Sequence, residues 1–239
     1  MGLRRDQGIV LRGYPFGDAD RIVVLLSPNN GKVRTVAKGV RRTKSRFGGR
    51  LEPFCHVDVV LYEGRNLGTI TQVTLVEPFH NLRNNLDAVL IAGSMVEVAD
   101  IVAQENEASM RLFLLLQRGL RALDNGLIGP DLATAFLLKA ATVVGVAPAL
   151  EHCAGCGRGD GLTRFSFAAG GALCERCRTS GAYALRRGVT EHLSVLAGAD
   201  LGALPTTDPE VRGEGLGVAR RFLEYHLERR LVALGSLDG

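Results

Sequence analysis

The sequence predicts an α+β protein in which a small β-barrel is followed by a helical bundle carrying a four-cysteine insertion. Three observations carry that expectation. Residues 1–80 hold five short runs rich in β-branched side chains, residues 81–239 switch to apolar positions at three-and-four spacing, and two Cys-x2-Cys pairs stand inside the second half. A chain of 239 residues with 46% hydrophobic and 23% charged side chains can bury a sizeable core and lies outside the disordered class.

The strand runs are GIVLRGY (8–14), RIVVLLS (21–27), KVRTVAK (32–38), CHVDVVLYE (55–63) and GTITQVTLVE (68–77), punctuated by PFGD, SPNNGK and EGRNLG. PNNG is a tight hairpin signal, because Asn and Gly tolerate positive φ. Five strands with the longest connection between the third and fourth fit a closed or nearly closed barrel. The oligonucleotide-binding (OB) barrel is the leading architecture and an SH3-like barrel the runner-up. The period then changes. Residues 83–103 and 108–123 read as helices, and GPDLATAFLLKAATVVGV (129–146) opens with Pro130 and Asp131 in a first turn and ends at Gly145 and Pro148. These three are expected to pack as a bundle. Thr190 is expected to cap EHLSVLAGA (191–199), and residues 216–234 place Leu216, Leu223, Leu227, Leu231 and Leu234 on one stripe. The domains are therefore expected to be 1–80, an OB-type barrel, and 81–239, helical, with a metal site at 153–177.

CAGCGRGDGLTRFSFAAGGALCERC sets the pair Cys153 and Cys156 and the pair Cys174 and Cys177 apart by seventeen intervening residues. That is the spacing of a four-thiolate zinc site, with Gly155 and Gly157 easing the first knuckle and LTRFSF and GGALC forming a minimal hairpin. One structural Zn2+ per chain is expected. A redox dithiol pair competes with it, and a catalytic zinc does so less well, because four thiolates leave no open coordination position. His152 is a minor substitute ligand. Cys55 reads as a small buried apolar side chain.

Charge divides the chain unevenly. Residues 1–80 carry 13 Lys or Arg against 7 acids, and residues 81–239 carry 16 against 18. From Arg21 to Leu51 there are nine basic residues and no acid, and six of the nine fall in KGVRRTKSRFGGR (38–50). Lys38, Arg41, Arg42, Lys44, Arg46 and Arg50 crowd the longest connection, with Lys32 and Arg34 on the strand before it. A solvated loop kept for solubility is the bland reading. The functional one is that nucleic-acid phosphates neutralise it, and about five such contacts to a single strand give a log–log salt slope of roughly −3.5. Phe47 either stacks on a base or pins the loop to the barrel. With 5% aromatics and no Trp, the main grip is expected to be on the backbone, without regard to sequence. Arg158, Arg164, Arg176 and Arg178 offer a second contact near the knuckle.

No phosphate loop, G-x-G-x-x-G, H-E-x-x-H or G-x-S-x-G pattern occurs, and Asp18 and Asp20 fit a turn better than a Mg2+ site, so no enzymatic activity is expected. No apolar run is long enough for a membrane span and no export signal is legible at the start, so a cytoplasmic, nucleoid-associated location with reduced cysteines is expected.

KGVRRTKSRFGGRLEPF, followed by the remaining strands, the helices and C-x2-C-x17-C-x2-C, resembles the bacterial recombination-mediator family RecO over essentially the whole chain. The resemblance implies an N-terminal OB domain and a helical C-terminal domain with zinc knuckles. It implies a non-enzymatic protein that binds single- and double-stranded DNA, anneals complementary strands, and with RecR assists loading of RecA on strands coated by single-strand-binding protein (SSB). It also carries the DNA-contacting role to the eight basic residues named above. An RNA-binding OB and zinc-ribbon module and a zinc-dependent enzyme acting on nucleotides are the alternatives.

Overall fold

The computed structural model describes residues 2–64 and 67–233. Leu234, the last residue of the predicted leucine stripe, lies outside them. The contacts of the chain group it into two compact units, Met1–Gly126 and Leu127–Gly239.

In the first unit five strands close a barrel: β1 (Leu3–Phe16), β2 (Asp20–Ser27), β3 (Gly31–Ala37), β4 (His56–Tyr62) and β5 (Gly68–Glu77), in the order β1-β2-β3-β5-β4. This is the arrangement of a five-stranded Greek-key OB barrel. β1 is long enough to serve both halves. Residues 3–9 pair with β4, residues 9–16 pair with β2, and an irregularity between Val10 and Arg12 bends the strand between its two partners. The seam is short and parallel, Thr35 opposite Gly68 and Val36 opposite Thr69, reinforced by the Thr35 hydroxyl donating to the Gly68 carbonyl at 3.0 Å. Gly31, at the end of the PNNG turn, sits at φ 61°, and a Cβ there would run into the carbonyl oxygens of Gln104 and Glu107.

Val10, Val23, Leu25, Val57, Val59, Leu61 and Ile70 fill the barrel. Strand β2 is buried on both faces, since Ile22, Val24 and Leu26 alternate with the inward Val23 and Leu25. Its outer face is covered by α1 (Leu86–Val102) and α2 (Met110–Asp124), which pack on β1 and β2. Asn85 caps α1, its side chain accepting from the Ala88 N–H at 3.1 Å. A partly exposed polar cluster around the buried His56 ties α2 to the barrel: Glu77 accepts from Arg121 at 2.7 Å and from Gln117 at 3.2 Å, and contacts His56 at 3.2 Å.

The second unit packs α3 (Pro130–Val143), α4 (Val189–Gly198) and α5 (Pro209–Leu227) around Phe136, Leu193, Leu196, Phe222 and Leu223. The three helices expected to form one bundle are thus divided, α1 and α2 in the first unit and α3 in the second. The strand-to-helix change near residue 80 and the division of the compact units at 126 are different boundaries, because α1 and α2 pack on the outer face of β1 and β2. Two helix ends also differ from expectation. Thr190 is buried inside α4, and the cap position belongs to Gly188 at φ 90°. Helix α5 begins at Pro209, capped by Asp208, and stops where Glu228 turns left-handed at φ 53°, so the buried Leu231 lies beyond it. Between α3 and α4 lie β6 (Leu162–Ser166), β7 (Gly171–Cys174) and β8 (Tyr183–Ala184), a small antiparallel sheet in the order β7-β6-β8.

Candidate nucleic-acid interface and metal centre

The connection from Lys38 to Leu51 is a chain of turns rather than an open loop. Arg42 N–H donates to the Gly39 carbonyl, Ser45 N–H to Arg42, and a 3-10 turn covers Gly48–Leu51. Phe47 and Leu51, each 1% exposed, plug into the barrel core, so the choice left open for Phe47 resolves to the pin. With the ring fixed, the cations around it are held outward. Lys38, Arg41, Arg42, Lys44, Arg46 and Arg50 are all exposed, and among the described residues none is ion-paired to a carboxylate. Arg46 lies over the Phe47 ring at 4.9 Å, and Arg50 donates to the Arg46 carbonyl at 3.1 Å. Arg41 is tied to the β1–β2 turn, its backbone N–H donating to Ala19 at 3.0 Å and its guanidinium to the Gly17 carbonyl at 3.3 Å.

The two remaining basic candidates sit differently. Lys32 is half-buried and lies 3.4 Å from Asp100, which also takes Arg12 at 2.7 Å. Arg34 is exposed but donates to the Tyr14 hydroxyl at 2.9 Å and lies 4.0 Å from Glu105. Both positions have a carboxylate within 4.0 Å, unlike the six on the turns. Cys55 is buried in the barrel core, where burial pushes its thiol up while Arg83, donating to it at 3.3 Å, pulls the other way.

The four cysteine sulfurs of the second unit lie within 4.8 Å of one another. Cys156 and Cys174 are 3.8 Å apart. Tetrahedral ligation at about 2.3 Å from each sulfur sets neighbours about 3.8 Å apart. The first knuckle closes through the Gly157 N–H donating to the Cys153 carbonyl and the Cys153 N–H to Arg158. Gly157 is left-handed at φ 74°, and a Cβ on Gly155 would stand 2.9 Å from that of Cys177, so both glycines are required. Burial opposes ionisation of Cys153, yet backbone N–H groups of Cys174, Gly155 and Cys156 aim at its sulfur and hold its pKa down at about 6. Cys177, hydrogen-bonded among the other three sulfurs, is pushed up to about 12. One thiolate poised and three neighbours converging on it is a donor set for a thiophilic cation. His152 is exposed and is not a member of the cluster. Of the arginines nearby, Arg158 faces Asp160 at 3.6 Å and Arg164 faces Glu175 at 3.0 Å, whereas Arg176 and Arg178 are exposed without an ion pair among the described residues.

Sequence reasoning missed a buried cluster in the second unit. Asp131, read as a first-turn residue of α3, is ion-paired with Arg212 at 2.8 Å and meets His192 at 2.9 Å, joining α3, α4 and α5. No local pattern signals an interaction across 61 residues.

Among the described residues no helix is long and apolar enough to cross a membrane. Two family models match, "Recombination protein O N terminal" over residues 1–79 and "Recombination protein O C terminal" over residues 83–234. Curated relatives named "DNA repair protein RecO" match over nearly their full length. The protein of Frankia casuarinae is 42% identical, with 100% of this chain and 99% of the relative covered. That of Nocardioides sp. is 43% identical, with 99% of each covered. That of Thermobifida fusca is 40% identical, with 100% and 99% covered. The two models meet between residues 79 and 83, where the strands give way to helices, and together they take in both the cationic turns and the cysteine cluster. The chain belongs to the RecO family of DNA repair and recombination proteins.

Proposed function

We propose that this chain is a non-enzymatic recombination mediator that binds single- and double-stranded DNA through the turns at 38–50, anneals complementary strands, and with RecR assists loading of RecA on SSB-coated DNA. The observation that carries the reading is the set of six exposed cations left without internal carboxylate partners by an anchored connection. Bringing two polyanions together requires their repulsion to be screened, and a dense cationic surface does that without reading sequence. Lys38, Arg41, Arg42, Lys44, Arg46 and Arg50 form the core of the interface; Lys32 and Arg34 border it and reach phosphate only by leaving Asp100 and Glu105. Cys153, Cys156, Cys174 and Cys177 hold one Zn2+, whose closed thiolate shell clamps the β6–β7 hairpin and supplies stability rather than chemistry. The site of action is the cytoplasm, at the nucleoid.

The test replaces Arg41, Arg42, Lys44 and Arg46 together by Ala. Affinity for single- and double-stranded oligonucleotides and the annealing rate are expected to fall, with the circular dichroism spectrum unchanged. The magnitude of the single-strand salt slope is expected to drop by about 3 for four lost contacts. Wild-type affinity in this variant would remove the loop from the interface.

A further inference from the structure

Six cations explain a grip on phosphates but not a distinction between an unpaired strand and a duplex, since both present a charged backbone. Discrimination needs a group that meets a base face, because bases are accessible on a single strand and stacked away in a duplex. Phe47, the aromatic inside the basic run, is buried and cannot serve.

The hairpin turn between β1 and β2 supplies another ring. Of the nine phenylalanines, Phe16 is the exposed one, at 46%; the other eight are buried or half-buried. It stands at the last position of β1, opposite Asp20, where the chain turns through Gly17 at φ 59°. The turn is fastened to the cationic connection at three points. Gly39 N–H donates to the Asp20 carboxylate at 2.7 Å, Arg41 N–H to the Ala19 carbonyl at 3.0 Å, and the Arg41 guanidinium to the Gly17 carbonyl at 3.3 Å. The residue that places a positive charge in the interface therefore also holds the backbone beside Phe16. Asp18, exposed on the same turn, disfavours a phosphate at the tip and leaves the backbone to the Arg41 side.

We infer that Phe16 stacks on an unpaired base of a strand whose phosphates lie on Arg41 and its neighbours, and that this ring sets the preference for single strands over duplex. The inference rests on the proposed loop interface and deepens it. It also gives annealing a direction. A strand is held with one base against the protein until a complementary strand competes for that base, and pairing then removes the stacking contact while leaving only the nonspecific charge contacts to the product.

The chain contains no Trp, so Phe16→Trp introduces the sole indole and a fluorescent reporter at the position in question. Titration of this variant with oligothymidine is expected to quench its emission, and titration with duplex DNA to leave it unmoved. Phe16→Ala is expected to bind oligothymidine about tenfold more weakly, within the range for one base–aromatic stack, with duplex affinity and salt slope unchanged. Equal losses for both DNA forms, an unaltered single-strand affinity, or constant Trp emission while a labelled strand reports saturation would each overturn the inference. The variant lacking Arg41, Arg42, Lys44 and Arg46 separates the two ideas. If it loses DNA while Phe16→Ala does not, stacking alone is refuted; if it binds like the wild type, the loop interface falls and stacking with it.

Discussion

The cationic turns of the first unit and the cysteine cluster of the second solve opposite electrostatic problems. At 38–50, six like charges share one short connection with no carboxylate partner among the described residues, and the fold tolerates them because every head group reaches solvent while Phe47 and Leu51 anchor the backbone. At 153–177 four sulfurs converge within 4.8 Å, two of them buried, and together they form a donor set that could hold a shared cation. One region is complete as a structure and incomplete as an electrostatic object. The other, with the proposed zinc, is completed as a structure by its ligand. A variant that removes charge from the first should change binding without changing stability, and a variant in the second the reverse.

The largest effect is expected at the knuckle. Zinc held by thiolates in small modules contributes on the order of 10 kcal/mol at neutral pH. Cys153→Ser, or a strong chelator on the wild type, should melt the second unit while the barrel keeps its cooperative transition, as followed by calorimetry and metal content. A metal-free protein with an unaltered melting curve would break the comparison.

Phe47→Ala comes next. Removing a buried aromatic from the barrel core should cost about 3–5 kcal/mol in urea denaturation, and should weaken DNA binding by slackening the turns although no charge is lost. A full stability loss with DNA affinity retained would show that the cations need no anchor. In the second unit, Asp131→Ala leaves His192 and the Arg212 guanidinium without their shared carboxylate and should cost about 3 kcal/mol, with no effect on DNA affinity.

The smallest effect is a pH dependence in the barrel. Burial alone would raise the Glu77 carboxyl, but Arg121 and His56 outweigh it and hold it below its ordinary value. A depressed carboxylate stabilises fully above its unfolded pKa, and that contribution is lost as pH falls through the folded value. Urea midpoints of the wild type should therefore drop between pH 6 and the acid limb by more than those of Glu77→Gln. Parallel pH profiles would mean that the pair contributes nothing.

Much of this was legible in sequence because it is local. Alternation of β-branched residues located all five strands, and Cys-x2-Cys spacing located the cluster, since two knuckles can meet only by folding a hairpin between them. What escaped is long-range or masked. Whether Phe47 turned in or out depends on a cavity built by Val10, Leu25 and Val57 far away in the chain. The start of α5 was hidden because glycines at 213, 215 and 217 dilute its apolar stripe, although Asp208-Pro209 is a sound opening. Thr190 looked like a cap, but the left-handed turn at Gly188 starts the helix earlier. The role of Phe16 rests on hydrogen bonds between two connections, which no periodicity encodes.

The blanket that α1 and α2 lay over β1 and β2 has a practical consequence for dissecting the molecule. Ending a fragment after residue 80 would strip water-shunning wall around Ile22, Val24 and Leu26 of its cover and yield a sticky remnant. A fragment running through Gly126 keeps the lining intact and follows the division between the compact units, so the positively charged half can be studied without its neighbour.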